Sequence, residues 1–400
     1  MYHYPMNDSL DSQHARKEGM AMNARLFIAF AGLGILMGGP TVAATWHVPA
    51  QVATIDAALD GAAHGDSVIV APGTYYESHL NLPSGVVMIG SVSDPSTVII
   101  DAQQQDYVMI IPQADDTSVL EGFTLTGGSS PGSGGGLHCG YPTRATVRHC
   151  DIVGNSAATG GGLACYGADP VFEHCRFLNN TGLADGVLGG GAVILNSSHP
   201  VFRDCVFAGN TTQGNGGAVA AYAATASFEN CTFTGNTAPN GSAIFVYHAE
   251  ATFADCALTD NIAVGYGVGA AYVYEGELTF ENCTISGNQA DTGAGVFGSS
   301  NSSISMSHCA VVANAGTFGA GGIELWFGST FIADSCEFAD NTTGGVPGDG
   351  AVDDGCSATL VCCETSPELW SGDGTVVFDN DGCTVGIEQV TWGDVKALFR

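Results

Sequence analysis

The chain has 400 residues, with 9 Lys and Arg against 40 Asp and Glu and a formal charge of −31. That charge excludes DNA, RNA and anionic lipid as partners, because each needs a cationic face. Hydrophobic residues make up 45% of the chain, too many for a disordered acidic protein, and its 57 glycines follow no collagen period.

The first element is an apolar run of 12 residues, LFIAFAGLGILM at 26–37, preceded by Arg25 and broken by Gly38, Gly39 and Pro40. It is too short to span a bilayer and leads into Val42-Ala43-Ala44. These features predict a signal peptide over 1–44, cleavage before Thr45, and an exported protein, extracellular or on the outer cell surface. Met20 and Met22 are alternative starts, since the segment before them is long and polar. The mature chain is expected to carry no transmembrane span.

Residues 51–64, QVATIDAALDGAAH, place Val52, Ile55, Ala58 and Leu59 at helical spacing. A short amphipathic helix is predicted there, covering the first coil of a repetitive body and closing an aggregation-prone edge. The N-terminal cap is assigned to 45–78.

The body, 79–365, is a repeat marked by cysteines. Cys150, Cys175, Cys205, Cys231, Cys256, Cys283, Cys309 and Cys336 are 25 to 30 residues apart. Five residues after each stands an asparagine: Asn155, Asn180, Asn210, Asn236, Asn261, Asn288, Asn314 and Asn341. Apolar residues recur two after Cys (Ile152, Phe177, Phe207, Phe233) and three before it (Val147, Phe172, Phe202, Phe228). Side chains alternate along a strand, so Cys and Cys+2 share a face, while Cys−3 has the wrong parity and demands a bend. The bend is polar, as in Glu173-His174 and Arg203-Asp204. Asparagine is expected to close the strand in left-handed geometry. A Gly-rich stretch then leads to another apolar start, as in GGGL at Gly160–Leu163.

Each repeat thus reads as about three short strands in one coil. Stacked at the parallel strand spacing, coils set Cys on Cys, Phe on Phe and Asn on Asn, the last as an amide ladder. About eleven coils give a rod roughly 50 Å long. The ends fade: Leu120, Phe123, Leu125 and Gly128 fill the columns upstream, and Cys362 does so downstream, where Pro367 replaces the asparagine.

The repeated C-x-F-x-x-N with a GG[AG][VIL] after it resembles the repeats of polymorphic outer membrane proteins. IDAALDGAAHGDSVIVAPGTYYE resembles the start of many secreted proteins of the pectate-lyase-like superfamily. The resemblance implies an all-β fold, a right-handed parallel β-helix. It does not carry an activity, because that superfamily holds lyases, hydrolases, epimerases and adhesins.

Among chemistries, hydrolases of this fold pair carboxylates, and lyases use Arg or Lys as base, often with Ca²⁺. Only isolated pairs occur, Asp115-Asp116 and Asp353-Asp354, and no Lys or Arg lies between Asp204 and Val395. Arg148 and Arg176, in adjacent coils, are the candidates for holding an anionic sugar. No catalytic residue and no cofactor are assigned. The expectation is a structural, adhesive or carbohydrate-binding protein whose partner is a polysaccharide or cell-surface component; a polysaccharide lyase or glycoside hydrolase is the alternative. Tyr222, Tyr247, Tyr272, Tyr274 and Trp326 come after the Gly-rich turns and are candidates for stacking on sugars or for packing inside.

Weak Ca²⁺ binding is considered at Asp349, Asp353 and Asp354 and at Asp379-Asn380-Asp381-Gly382, where Val377 spoils an EF-hand loop. The cysteine spacing matches no zinc pattern, so the ladder thiols act as buried hydrophobes. Cys139 with Cys165, and Cys356, Cys363 and Cys383, are the disulfide candidates. Finally, 366–400 forms a C-terminal cap whose last residues put Trp392, Val395 and Phe399 on one helix face, as a capping helix or a sorting tag. Too few residues remain after 365 to form a membrane barrel, so an autotransporter is not expected.

Overall fold

The computed structural model describes residues 43–184 and 189–379. Within them the chain winds into an all-β parallel solenoid of about 12 turns, close to the eleven expected. Four sheets run its length. The first has 14 strands, from Thr45–Val48 to Thr375–Asp379, and the second has 11, from Gly73–Tyr75 to Glu337–Ala339. The third has 10, from Ser129–Ser133 to Val346–Pro347, and the fourth has 12, from Leu80–Asn81 to Trp370–Ser371. Strands therefore join the ladders on both sides of the expected 79–365 body. Neighbours are parallel apart from the hairpin of Thr342–Thr343 with Val346–Pro347.

A coil crosses the sheets in order, as Val171–Glu173, Arg176–Leu178, Thr181–Gly182 and then Val193–Asn196. Periodicity predicts three strands per coil; the third-sheet strand escapes it because many of its members are two residues long, too short to show alternation.

The bend between the first two sheets is made by a left-handed residue just before each cysteine, including His174 (φ 53°), Asp204 (φ 53°) and Asn282 (φ 53°). The ladder asparagines do not take the left-handed role expected of them. That falls to the residue before each, such as Gly154 (φ 65°) or Asp260 (φ 55°), which turns the asparagine inward. There the eight are buried and run as one amide ladder. Asn180 Nδ2 donates to the carbonyl of Ile152 (2.9 Å), while its backbone N–H and Nδ2 both donate to Asn210 Oδ1 (2.9 and 3.1 Å). The pattern repeats from Asn155 through Asn314.

The rest of the interior is stacked like with like. Phe172, Phe202, Phe228, Phe253 and Phe280 form one column with centroids 4.8 to 5.1 Å apart, and Phe177, Phe207 and Phe233 form another. The ladder cysteines are buried free thiols. Hydrogen bonding to the Cys231 sulfur and burial push the Cys256 thiol up to about 12, so it stays a protonated thiol at neutral pH. The ninth rung is Cys363, not Cys362: Leu360 pairs with Ala333, so Cys362 (φ 51°) occupies the left-handed bend and is disulfide-bonded. Of the expected bridges, Cys139, Cys165, Cys356 and Cys363 are free. Cys383 lies outside the described residues.

At the N-terminal end, helix α1 (Ile55–Gly61) is shorter than the 51–64 expected. Thr54 caps it, accepting from Ala57 N (3.2 Å), and both Glu77 oxygens take the free N–H groups of Ile55 and Asp56 (2.9 Å each). Ile55, Ala58 and Leu59 are buried against the first coil.

The amide ladder ends on a carboxylate. Asp349 is fully buried; Oδ1 accepts from Asn341 Nδ2 (3.0 Å) and Oδ2 from the Thr365 hydroxyl (2.8 Å). Both partners are neutral and an amide can meet each of them, so Asp349→Asn should be about as stable as the parent in urea denaturation. Asp349→Ala, which orphans both donors, should cost about 2–3 kcal/mol.

Candidate functional site

In the fourth sheet, Leu163, Cys165, Val193, Leu195, Ile244 and Val246 point inward and join the main core. Alternation then sets two columns outward. One runs His138, Ala164, Ile194, Ala220, Phe245, Tyr272, Phe297, Glu324 in register. The other carries Tyr166, Asn196, Tyr222, Tyr247, Tyr274 and Ser299, with Trp326 just beyond the next strand. Several of these residues form an apolar cluster separate from the core.

The Gly-rich turns explain this shelf. Gly293 (φ +54°) passes so near the face that a Cβ there would lie 2.9 Å from Phe297 Cδ2. The turns thus wall the first column, leaving Ile194, Phe245 and Phe297 almost fully covered, while Tyr166, Tyr247, Tyr272, Tyr274 and Trp326 stay half-buried.

The rings form a connected run over five coils. Centroids lie 6.1 Å apart for Tyr222–Tyr247 and 5.3 Å for Tyr247–Tyr274; Phe245 links these to the other column, 6.3 Å from Tyr247 and 5.2 Å from Tyr272, and Tyr272–Phe297 and Phe297–Trp326 are 5.1 Å each. Hydroxyls and amides border them. Ser133 Oγ bridges Thr159 Oγ1 and the Tyr166 hydroxyl (2.8 Å each), Tyr272 meets Ser299 Oγ (3.2 Å), and Asn240 Nδ2 donates to Asn215 Oδ1 (2.8 Å). Where the chain leaves the Tyr222–Tyr247–Tyr274 column, an open groove of about 470 Å³ is lined in part by His248, Glu250, Glu275 and Glu277.

One carboxyl sits on the face itself. Glu324 Oε2 accepts from the backbone N–H of Gly293 (3.0 Å) and Ala320 (2.9 Å), and Oε1 from Trp326 Nε1 (2.9 Å). Burial raises its pKa above the ordinary range despite those donors. It fixes the Trp326 indole and two turns, and the Asp353 carboxylate adds to burial in raising its pKa.

The five aromatics singled out in the sequence therefore fall on one face. Their partners His138, Phe245, Phe297 and Glu324 were missed, although parity counted from each Gly-rich turn reveals them. Other candidates serve structure. Asp115 Oδ1 accepts from the Thr117 N–H and hydroxyl, which, with His64, hold it below the carboxylate range. Arg148 pairs with Glu121 (2.8 Å), and Arg176 grips Asp151 with two nitrogens, so both are engaged in ion pairs on the first and second sheets, away from the aromatic face. Asp349 is spent on the ladder, and burial together with Asp373 raises the Asp353 carboxyl. Among the described residues, no three His, Cys, Asp or Glu side chains are grouped to hold a metal, and no helix is long and apolar enough to cross a membrane. The segments 1–42 and 380–400, with the expected leader and tail, lie outside the described residues.

None of the curated proteins matches the sequence. The A-module of the Azotobacter vinelandii mannuronan C-5 epimerase AlgE4 is similar in fold, with TM-score 0.54 and 13% identity over 83% of this chain and 95% of that one. The AlgE6 A-module of the same organism gives 0.38 at 11% identity, over 82% and 94%. A Yersinia enterocolitica family 28 exopolygalacturonase gives 0.28 at 8%, over 83% and 75%. Only the first score bears on the fold, and at that identity on nothing more. The profile of the right handed beta helix region matches residues 85–258 and 242–391, and the chain belongs to that family.

Proposed function

We propose that this protein binds a polysaccharide along the outward face of its fourth sheet and works as an exported structural or adhesive β-helix. The observation that carries the reading is the connected run of rings from Tyr222 to Trp326 on a rigid ladder. The C–H groups of a pyranose face meet the negative face of an aromatic ring favourably, and a half-buried phenol carries a polar end that can meet sugar hydroxyls. A ladder with fixed registers holds the rings without an ordering cost at binding. The export part rests on the sequence of 1–44, and the epimerase fold supports the carbohydrate part by analogy.

The double variant Tyr247→Ala/Tyr274→Ala removes two adjacent stacked rings from the middle of the face. It should weaken glycan binding by about 2 kcal/mol or more, roughly thirtyfold in Kd, with the melting transition little changed. A glycan array with subsequent affinity electrophoresis checks this, and unchanged binding in the variant overturns the proposal.

A second reading, polysaccharide cleavage, is favoured by one observation: Glu324 is a buried carboxyl of raised pKa on the same face. Reducing-sugar and unsaturated-product assays on the same glycans separate the two. Turnover that disappears in Glu324→Gln establishes the enzyme and displaces the scaffold.

A further inference from the structure

Resting on that reading, we infer that the aromatic face selects an uncharged polysaccharide and rejects polyuronates. The argument is where the charges are. Three of the four described arginines are spent in ion pairs on the first and second sheets: Arg148 with Glu121, Arg176 with Asp151, and Arg203 with Glu229 (2.8 Å) and Glu173 (3.6 Å). The fourth, Arg144, is exposed at the turn after Leu137–Gly140, five coils before Ala271–Tyr274. At the strand spacing that is about 24 Å, and Tyr222, the nearest ring of the run, is three coils or about 14 Å away, both beyond the screening length of about 8 Å at physiological salt. No Lys or Arg occurs from Asp204 to Val395, so of the coils that carry Tyr222, Tyr247, Tyr272, Tyr274 and Trp326 the first alone holds one, Arg203, paired on the first sheet, and the others hold none.

The histidines do not supply the missing charge. Burial lowers the pKa of His138, which is therefore neutral at pH 7, and His248 lies 3.2 Å from Glu275. What remains at the face is negative or neutral. Glu324 stands in the outward column, and Glu250, Glu275 and Glu277 line the groove beside the tyrosines. Glu275 adds to burial in raising the Tyr247 phenol. A polyuronate laid along this face brings one negative charge per sugar against carboxylates, with no cation to pair. A neutral chain meets only rings, hydroxyls and the Asn215–Asn240 amides. Rejection by unpaired like charge is how an interface excludes a competitor of the same shape.

The test is affinity electrophoresis of the whole protein in gels containing a neutral glucan, a galactomannan, polygalacturonate or alginate. Each is run at low and at physiological salt, in EDTA and with added Ca²⁺. A neutral chain should retard the protein, with polyuronate affinity in EDTA at least about tenfold weaker and weakest at low salt, where repulsion is least screened. Polyuronate binding as tight in EDTA as that of any neutral chain, and lost in Tyr247→Ala/Tyr274→Ala, overturns the inference while leaving the face as the binding site. Polyuronate binding that appears only with Ca²⁺ sustains it, since the face itself then lacks the needed charge. If no chain of either kind binds, or binding survives the double variant, the reading of the face falls and the inference with it.

Discussion

Asn236→Leu should lower the stability of the solenoid by about 3–6 kcal/mol, a large loss for one polar side chain. The volumes are similar, so the change isolates hydrogen bonding. In the parent, Asn236 Oδ1 accepts both the backbone N–H and the Nδ2–H of Asn210 (3.0 and 2.9 Å), and Asn236 Nδ2 donates to the Phe207 carbonyl (2.9 Å). The position is fully buried, so solvent cannot replace a lost partner. Three groups are orphaned at about 1–3 kcal/mol each, and the leucine's gain in apolar burial offsets part of it. Urea denaturation monitored by circular dichroism measures the loss. A change below 1 kcal/mol, roughly within ordinary surface-mutation scatter, shows the ladder to be ornamental.

How the coil could be read from the sequence, and where it could not, has the same physical origin. Cys, Phe and Asn columns were legible because each position meets its own copy in the next coil, and stacking selects side chains that fit themselves. Phe on Phe at 4.8 to 5.1 Å is such a case. The third-sheet strands were illegible because Thr181–Gly182 and Thr211–Thr212 hold too few residues to alternate. Propensity alone gives the left-handed role to asparagine, whereas packing reserves the asparagine for the interior and moves the turn one residue earlier, onto Gly209, Asp260 or even Ala313 (φ 55°). At the C-terminal end the adjacent Cys362 and Cys363 differ by one residue in a period-2 strand system, so only three-dimensional register decides which is inside. The aromatic face was half legible. Its tyrosines stood out by type, but Phe245 and Phe297 look like core residues until their parity is set against inward Val246 and Val296.

Phe228→Ala tests the stacked core at the middle of the solenoid and should cost about 3–5 kcal/mol. The ring is fully buried, stacked between Phe202 at 5.1 Å and Phe253 at 4.9 Å, with edge contacts to Phe207 at 6.1 Å and Phe233 at 5.3 Å. Neighbours cannot close the resulting cavity along the axis, because the hydrogen-bonded registers of Phe202, Phe228 and Phe253 hold the coils at their spacing. The cost should therefore fall in the upper part of the range. A solenoid is stabilised coil against coil, so a central gap also weakens the coupling between its two halves. The expected signature is a shallower urea transition as well as a lower midpoint, since a smaller m-value marks the loss of a single cooperative unit. Phe228→Leu, which keeps most of the volume, should restore the steepness and about half of the stability. A lower midpoint with unchanged slope in Phe228→Ala shows instead that the backbone ladders alone carry cooperativity across the gap.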